Sequence, residues 1–568
     1  MQFSTLLTRS RLRFIGLMLG WSAALLAGLF WCYGPSLQGE FIWDDYRYIV
    51  ENPAVRQWAP WWHLWIGLND LGLYYPLSLT FFAWEHWVWG LDPSAFRVVH
   101  LLLHFGNAAW IALLGRRLKI PGAAWGAALF ALHPVQLQTV AWIVEGKNLL
   151  SAFLVFTAIW FYLRALASAS NVHRYLLLAT WSAYGLALLA KTSVCMLPFV
   201  FSILAGLRVS DAAPSASGWK RWCPIHLLPF YATGLIAGLS LIWLELQGAS
   251  ALQMKIAQPL DLRGWAVVQA FWFYLGQIAC WQPFSFFYPR WGPPGLWAWS
   301  ALALTGAVGL GLFRFRARVP VLLWLALAWW LIWLFPALGF FSYSWLRYTE
   351  ATDYYQYLAS AAPCLGLAAW LFTRWSRPTL PAVASLLLSG TFAFLTHHYA
   401  GDYRNEPTLW SQTLSRNPLA WGAQANWGDS EARQGRFREA RDHYLLALQL
   451  NPGDWESAAG AGNASAELDE KEKACELYRQ ALLLQPRHLP ASVNLSLLLF
   501  AQQRTAEGVQ VLQQALQAQP RPEIVVYLLG LLNQMEPYQA HRQALLRAWR
   551  EVKPGDPLLE EAWRNEPR

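Results

Sequence analysis

The residues best placed to do chemistry are two adjacent carboxylates, Asp44 and Asp45, within the stretch Phe41-Ile42-Trp43-Asp44-Asp45-Tyr46-Arg47-Tyr48-Ile49-Val50-Glu51-Asn52-Pro53. They come directly after the first long apolar segment, where a chain leaves a membrane, and acidic residues at that depth are costly and commonly functional. Side by side they raise one another's pKa, although neighbouring side chains can point apart. The bland alternative is a helix N-cap and its neighbour, solvated at the lipid headgroups. His100 and His104, four apart, have a spacing that can hold zinc. Lying in an apolar span with no acid between them, they are expected to be satisfied, buried histidines instead.

The elements that position these residues are apolar. Of 568 residues 56% are hydrophobic and 14% charged, with 37 Trp, which excludes an ordinary soluble protein and predicts an all-α, polytopic membrane chain. The net charge of +9 does not indicate nucleic acid, because Lys and Arg lie in short clusters between apolar segments, as the positive-inside rule requires. Six scattered Cys with no C-x-x-C predict neither a metal site nor disulfides. The run from about Phe14 to Cys32, after Arg9, Arg11 and Arg13, reads as a signal anchor with its N-terminus in the cytoplasm.

A polar, Trp-rich stretch follows to about Tyr75, and Pro76 to Gly90 reads as an interfacial helix. Spans are expected near 96–115, 121–134, 149–166, 175–190, 194–207, 225–245, 296–312, 319–340, 357–373 and 379–397, about eleven with the first. Segment 264–282 is apolar enough to cross. Counting it would put Arg314, Arg316 and Arg318 outside, so it is kept as a membrane-embedded or interfacial helix on the outer side. From about Asn417 a repeat appears: Pro418, Pro452, Pro486, Pro520 and Pro554 stand 34 residues apart, the tetratricopeptide period. The pattern Trp427-Gly428, Ala440, Tyr444 and Ala447 recurs as Gly462, Ala474, Tyr478 and Ala481. The organisation expected is a membrane domain 1–400, a connecting helix 401–420 and repeats over about 421–454, 455–488, 489–522 and 523–556 within 421–568.

A series of motifs runs along the chain: Phe41 to Asp45 with Asn52-Pro53, Tyr75-Pro76-Leu77, Phe96-Arg97 to His104, His133-Pro134-Val135 and Glu145-Gly146-Lys147-Asn148. It continues through Ala190-Lys191-Thr192-Ser193, Tyr274-Leu275-Gly276, Tyr288-Pro289-Arg290-Trp291 and Arg347-Tyr348 through Asp353 to Gln356-Tyr357-Leu358-Ala359, and terminal repeats follow. In this order of motifs and in its terminal repeats the chain resembles the TMTC-type O-mannosyltransferases and their bacterial relatives in the GT-C superfamily.

The resemblance implies transfer of a sugar, with inversion, from a polyprenyl-phosphate donor in the outer leaflet to a protein Ser or Thr hydroxyl. Asp44 matches the first acid of the superfamily's pair and is the expected general base. Asp45 would bind a sugar or acceptor hydroxyl, or share a divalent metal with Asp44 and Glu145, although no ligand set compels a metal. The departing phosphate needs positive charge. Lys147, Lys191, Arg290 and Arg347 are the expected donors of it, Lys147 and Arg347 foremost, and each has the alternative of anchoring to headgroups. Glu145 and Asp353 would pair with these cations, and His133 supports the loop. No cofactor beyond the lipid-linked sugar is certain. The repeats would hold an extended acceptor peptide in their groove and raise its local concentration.

Two other enzymes or binding proteins remain open: the same fold acting on a glycan or lipid acceptor, and a non-enzymatic scaffold whose repeats assemble partners. A transporter ranks last, because no matching hydropathy halves appear. The expected location is a bacterial inner membrane, multi-pass, with the acids and repeats facing the periplasm.

Overall fold

The computed structural model describes residues 2–57, 62–66, 74–168, 170–212, 224–247, 260–291, 295–340 and 344–518. Of the six Cys, Cys223 lies outside these residues, as do Pro520, Pro554 and the expected repeat at 523–556. Every regular element among them is helical. The chain forms two compact units, Met1–Gln412 and Thr413–Arg568.

Helices of ten or more residues are numbered in chain order. The first unit holds α1 (Gln2–Leu37), α2 (Pro76–Trp89), α3 (Pro93–Arg117), α4 (Ala123–Leu132), α5 (Gly146–Ala165), α6 (Ser170–Ala190) and α7 (Leu197–Ala212). It continues with α8 (Leu228–Gln247), α9 (Leu260–Ile278), α10 (Leu296–Arg314), α11 (Val321–Leu334), α12 (Ala361–Arg374), α13 (Thr379–Ala400) and α14 (Glu406–Arg416), which runs past Gln412.

Six stretches among the described residues are long and apolar enough to cross a membrane: Gly16–Leu37, Pro93–Arg117, Ile143–Ala165, Ile225–Leu244, Leu296–Arg314 and Thr379–Tyr403. The chain is therefore a multi-pass membrane protein. These six do not by themselves make up the expected count of about eleven: among the described residues several of the other expected spans are shorter apolar helices, Ala123–Leu132, Thr192–Leu207 and Val321–Ala337. At 1.5 Å per residue, ten residues cover about 15 Å, half of a hydrocarbon core.

The helices bring one kind of residue to each end. Asp92 caps α3 by accepting from the Ser94 N–H at 2.9 Å, and Pro93 fits the first turn because it has no N–H to leave unsatisfied. α3 and α5 then run side by side in the same direction: Asn107 Nδ2 donates to the Leu149 carbonyl at 3.0 Å, and Trp110 packs on Trp160. Their far ends carry Arg116, Arg117 and Arg164, while their near ends meet the Asp44–Asp45 loop. α13 runs beside α1, with His397 bonded to the Trp31 carbonyl at 2.8 Å, so Arg374 and Arg377 before it also lie at the far end. An apolar pocket lined by Leu114, Leu118, Phe156, Leu207, Leu325 and Trp329 sits toward that basic end, away from the acids. Segment 264–282 falls mostly within α9, and both of its ends meet loops: Arg263 reaches the Phe340 carbonyl at 3.4 Å and the Ile278 carbonyl accepts from His133 at 2.9 Å.

The second unit repeats a helix pair: α15 (Trp421–Arg433) with α16 (Phe437–Leu450), α17 (Trp455–Glu467) with α18 (Lys471–Leu484), and α19 (Leu489–Ala501) with α20 (Thr505–Ala518). Glycine is required where the pairs touch, since a Cβ on Gly428 or Gly462 would stand 2.8 Å from the ring of Tyr444 or Tyr478. Each tyrosine hydroxyl then donates back across the pair, Tyr444 to Asp429 at 2.6 Å and Tyr478 to Asn463 at 2.7 Å. Asn494 of α19 donates through Nδ2 to Asn463 Oδ1 of α17 at 2.9 Å, joining successive pairs.

Candidate active site

Trp43 adopts φ +47, a left-handed conformation that costs a bulky side chain about 1–3 kcal/mol and persists only where the surroundings over-determine it. Here they do. The Trp43 N–H donates to Glu406 Oε1 at 2.7 Å, and its indole stacks on Trp142 at 5.4 Å within a shell that includes Phe286, Phe287, Trp345, Tyr348 and Trp410.

After this kink the two carboxylates part company. Asp45 is wholly buried: Oδ2 accepts from the Ile42 N–H at 3.0 Å and Oδ1 from the Val144 N–H at 2.8 Å. Burial pushes its carboxyl up to about 7, against the pull of the Ile42 amide, Arg97 and the Val144 amide. Asp45 is thus a tie between two loops rather than the expected ligand of a sugar hydroxyl, because both oxygens already serve backbone amides. Asp44 is only half-buried, and among the described residues it accepts no hydrogen bond. Burial raises it to about 6; Lys147 and Arg47 pull it down and Glu145 pushes it up. A carboxylate with free lone pairs and a midpoint near neutrality has the properties of a general base.

The basic side of the site is built on one turn. Gly146 opens α5, and a Cβ there would stand 2.5 Å from the His100 ring, so no larger residue fits. His100 in turn bonds Glu85 of α2 at 3.2 Å, with both side chains fully buried. The turn presents Glu145, 2% exposed, whose oxygens meet Lys147 Nζ at 3.1 Å and Lys191 Nζ at 3.2 Å and also accept from Asn148. Lys191 reaches it from the end of α6, and its midpoint is lowered to about 8 by burial, against the attraction of Glu145 and with the repulsion of Lys147. Tyrosine rings surround both ammonium groups, Tyr48 and Tyr75 at 5.1 and 5.9 Å from Lys147 and Tyr354 and Tyr355 at 4.8 and 5.9 Å from Lys191. Two cations against one buried carboxylate leave one positive charge, which suits an anion.

The other expected residues take different places. Arg290 donates to the carbonyls of Leu346 and Arg347 at 2.7 and 2.6 Å and so braces that turn. Arg347 stands over the Tyr348 ring, which touches Trp43. Among the described residues Asp353 pairs with no cation. Its Oδ2 accepts from the Tyr288 hydroxyl at 2.6 Å, its Oδ1 meets no hydrogen-bond partner among them, and burial raises it to about 7. Gln138 holds the adjoining backbone, accepting from the N–H groups of Asp353 and Tyr354 at 3.0 and 3.3 Å. His133 accepts from the Val135 N–H at 3.1 Å and donates to Ile278, joining its loop to α9. His104 bonds Tyr357 and the Ala131 carbonyl, so it and His100 face separate partners and not a shared metal.

A divalent metal fits these residues poorly. Asp45 spends both oxygens on amides and Glu145 spends its own on Lys147, Lys191 and Asn148; among the described residues no three His, Cys, Asp or Glu side chains converge on a point.

Sequence reasoning missed the tyrosine enclosure and Glu406, which lies 363 residues from the backbone it holds and carries no local signal. It also gave no role to Arg97. That guanidinium, 1% exposed, donates to the carbonyls of Gly39, Glu40 and Ala141 and fastens the loop after α1 to the segment before Glu145.

No protein-family model matches the chain. Protein O-mannosyl-transferase TMTC1 of Homo sapiens is 36% identical over 173 residues, 28% of this chain and 20% of that protein. TMTC4 of Homo sapiens is 29% identical over 165 residues (25% and 22%), and TMTC2 of Mus musculus 24% identical over 234 residues (37% and 28%). The matches thus span less than a third of each relative's length. Among solved structures, Pseudomonas aeruginosa PilF aligns with 41% of this chain and 96% of its own at 15% identity and a TM-score of 0.22, and yeast Tom70 with 81% and 99% at 11% identity and 0.21, too low to carry a fold argument. Over these partial lengths, the chain is similar in sequence to the TMTC group of protein O-mannosyl-transferases.

Proposed function

We propose that the chain is a membrane protein O-glycosyltransferase that moves a sugar, mannose by the names of its relatives, from a polyprenyl-phosphate donor to a Ser or Thr hydroxyl. The observation that carries this reading is the open Asp44 carboxylate in the electrostatic field of the Lys147–Glu145–Lys191 cluster.

The acceptor hydroxyl oxygen attacks the sugar C1 from the face opposite the phosphate, with inversion. Its proton passes to Asp44 as the new C–O bond forms. The C1–O bond to phosphate breaks, and the lipid phosphate leaves with the electron pair. Its second negative charge develops against Lys147 and Lys191, whose placement beforehand lowers the barrier. Asp45, Arg97 and Gln138 hold the loops, and Arg347 and Arg290 order the turn beside Trp43. The second unit holds the acceptor peptide, which its stacked helix pairs suit.

The orientation follows from charge. Arg116, Arg117, Arg164, Arg374 and Arg377 gather at the far end from the acids, so the acids face outward, the periplasm in a bacterium. The test is mass spectrometry of envelope proteins from cells carrying the intact gene or Asp44→Asn. Hexose on Ser or Thr peptides that disappears with Asp44→Asn, while the folded protein persists, supports the reading. Unchanged glycopeptides refute it and favour a scaffold.

A further inference from the structure

Asp44 follows a residue in the left-handed region, and the direction of its carboxylate depends on that kink being held. Three contacts hold it from two parts of the chain. Trp43 stacks on Trp142 with ring planes 15° apart, Asp45 takes the Val144 N–H at 2.8 Å, and Glu406 takes the Trp43 N–H at 2.7 Å. The first two join the Asp44 loop to the segment that presents Glu145 and Lys147. The third is a buried carboxylate, 4% exposed, at the start of α14. Were Trp43 to relax to the ordinary φ < 0 region, the N–H would turn away from Glu406 and the following residue would turn with it. The indole would also leave a shell of rings that includes Trp410, one turn along the same helix from Glu406.

We infer that Glu406 is a positioning residue for the transfer: by accepting the Trp43 N–H it locks the left-handed turn that presents Asp44 to the acceptor hydroxyl. This rests on the reading of Asp44 as the base. At 2.7 Å the bond lies at the short end of the N–H···O range, which suits it to holding a strained backbone. The arrangement separates the two acids by task. Glu406 and Asp45 fix the backbone on either side of Asp44, and Asp44 alone of the three keeps its oxygens for substrate. Because Glu406 holds the Trp43 backbone while Lys147 and Lys191 are held by Glu145, its loss is expected to lower turnover and to spare donor affinity.

The experiment compares Glu406→Ala, Glu406→Gln and Asp44→Asn in the full chain reconstituted in lipid nanodiscs. Polyprenyl-phosphate mannose is the donor probe, a pool of Ser/Thr peptides the acceptor probe, and hydrogen exchange of the segment 41–50 is followed by mass spectrometry. For Glu406→Ala we expect kcat to fall about 10- to 100-fold, the scale of a misplaced catalytic group. The donor KM should stay within about threefold and exchange across 41–50 should quicken, while Glu406→Gln, whose amide oxygen still accepts the N–H, stays close to the parent in both. If Glu406→Ala matches the parent in exchange and turnover, or if Glu406→Gln is as damaged as Glu406→Ala, the inference is overturned. Full activity of Asp44→Asn would overturn the proposed function instead, and the exchange comparison would still decide whether Glu406 holds the turn.

Discussion

Replacing Glu145 by Gln takes away the carboxylate between two buried ammonium groups and leaves the side-chain shape almost unchanged. At 3.1 and 3.2 Å each contact carries a gross attraction of roughly 5 kcal/mol at an effective dielectric of about 20. Desolvation offsets much of that, and removing one partner of a buried pair costs about 3–5 kcal/mol net. The protein can relieve the strain by shedding a proton. Lys191 is the group to lose it, because its midpoint is already lowered to about 8 and Glu145 is what holds it up. The sign follows: without Glu145 the midpoint of Lys191 moves below 8, so the ammonium is lost at a lower pH. Donor binding that depends on this charge should then show its alkaline limb displaced downward by a unit or more, about 1.4 kcal/mol per unit. The assay is the KM for polyprenyl-phosphate mannose between pH 6 and 9.5 in nanodiscs, with thermal unfolding of the same samples. A Glu145→Gln protein with the parent's alkaline limb, KM and unfolding temperature would refute the claim that this carboxylate organises the anion site.

Asp44 has its carboxyl raised to about 6, so turnover is expected to fall as pH drops through about 6, and Asp44→Asn should abolish that limb and lower kcat about 10²- to 10⁴-fold in the same assay. Asp45→Ala leaves the Ile42 and Val144 amides without acceptors and is expected to destabilise the first unit by about 1–3 kcal/mol for each, read as a lower unfolding temperature. Gly146→Ala pushes a methyl group into the His100 ring 2.5 Å away; overpacking of about 1–3 kcal/mol should accompany a raised donor KM as Glu145 and Lys147 shift. Gly462→Ala meets the Tyr478 ring at 2.8 Å and should loosen the second unit alone, seen as faster proteolysis after residue 413 with the first unit's unfolding unchanged.

The helical class, the membrane character and the 34-residue frame of the repeats are legible along the chain. Each of these is written locally: an apolar run long enough to span, a basic cluster beside it, a proline, glycine or tyrosine recurring in one register. The sequence also put Asp44, Asp45, Lys147 and Arg347 foremost among the polar residues, with Lys191, Arg290, Glu145, Asp353 and His133 behind them. Which of these side chains meet, and which are tied up by other partners, is set by the tertiary fold. Whether Asp44 or Asp45 stays open depends on one positive φ and on one amide 99 residues away, and which cation shares Glu145 with Lys147 depends on which helix ends meet. Asp353, expected beside a cation, found a tyrosine hydroxyl, and Glu406, with nothing nearby to mark it, found the backbone of Trp43. A burial pattern can be read along a chain, but the direction of a carboxylate cannot, because it is set by hydrogen-bond partners that only folding brings within 3 Å.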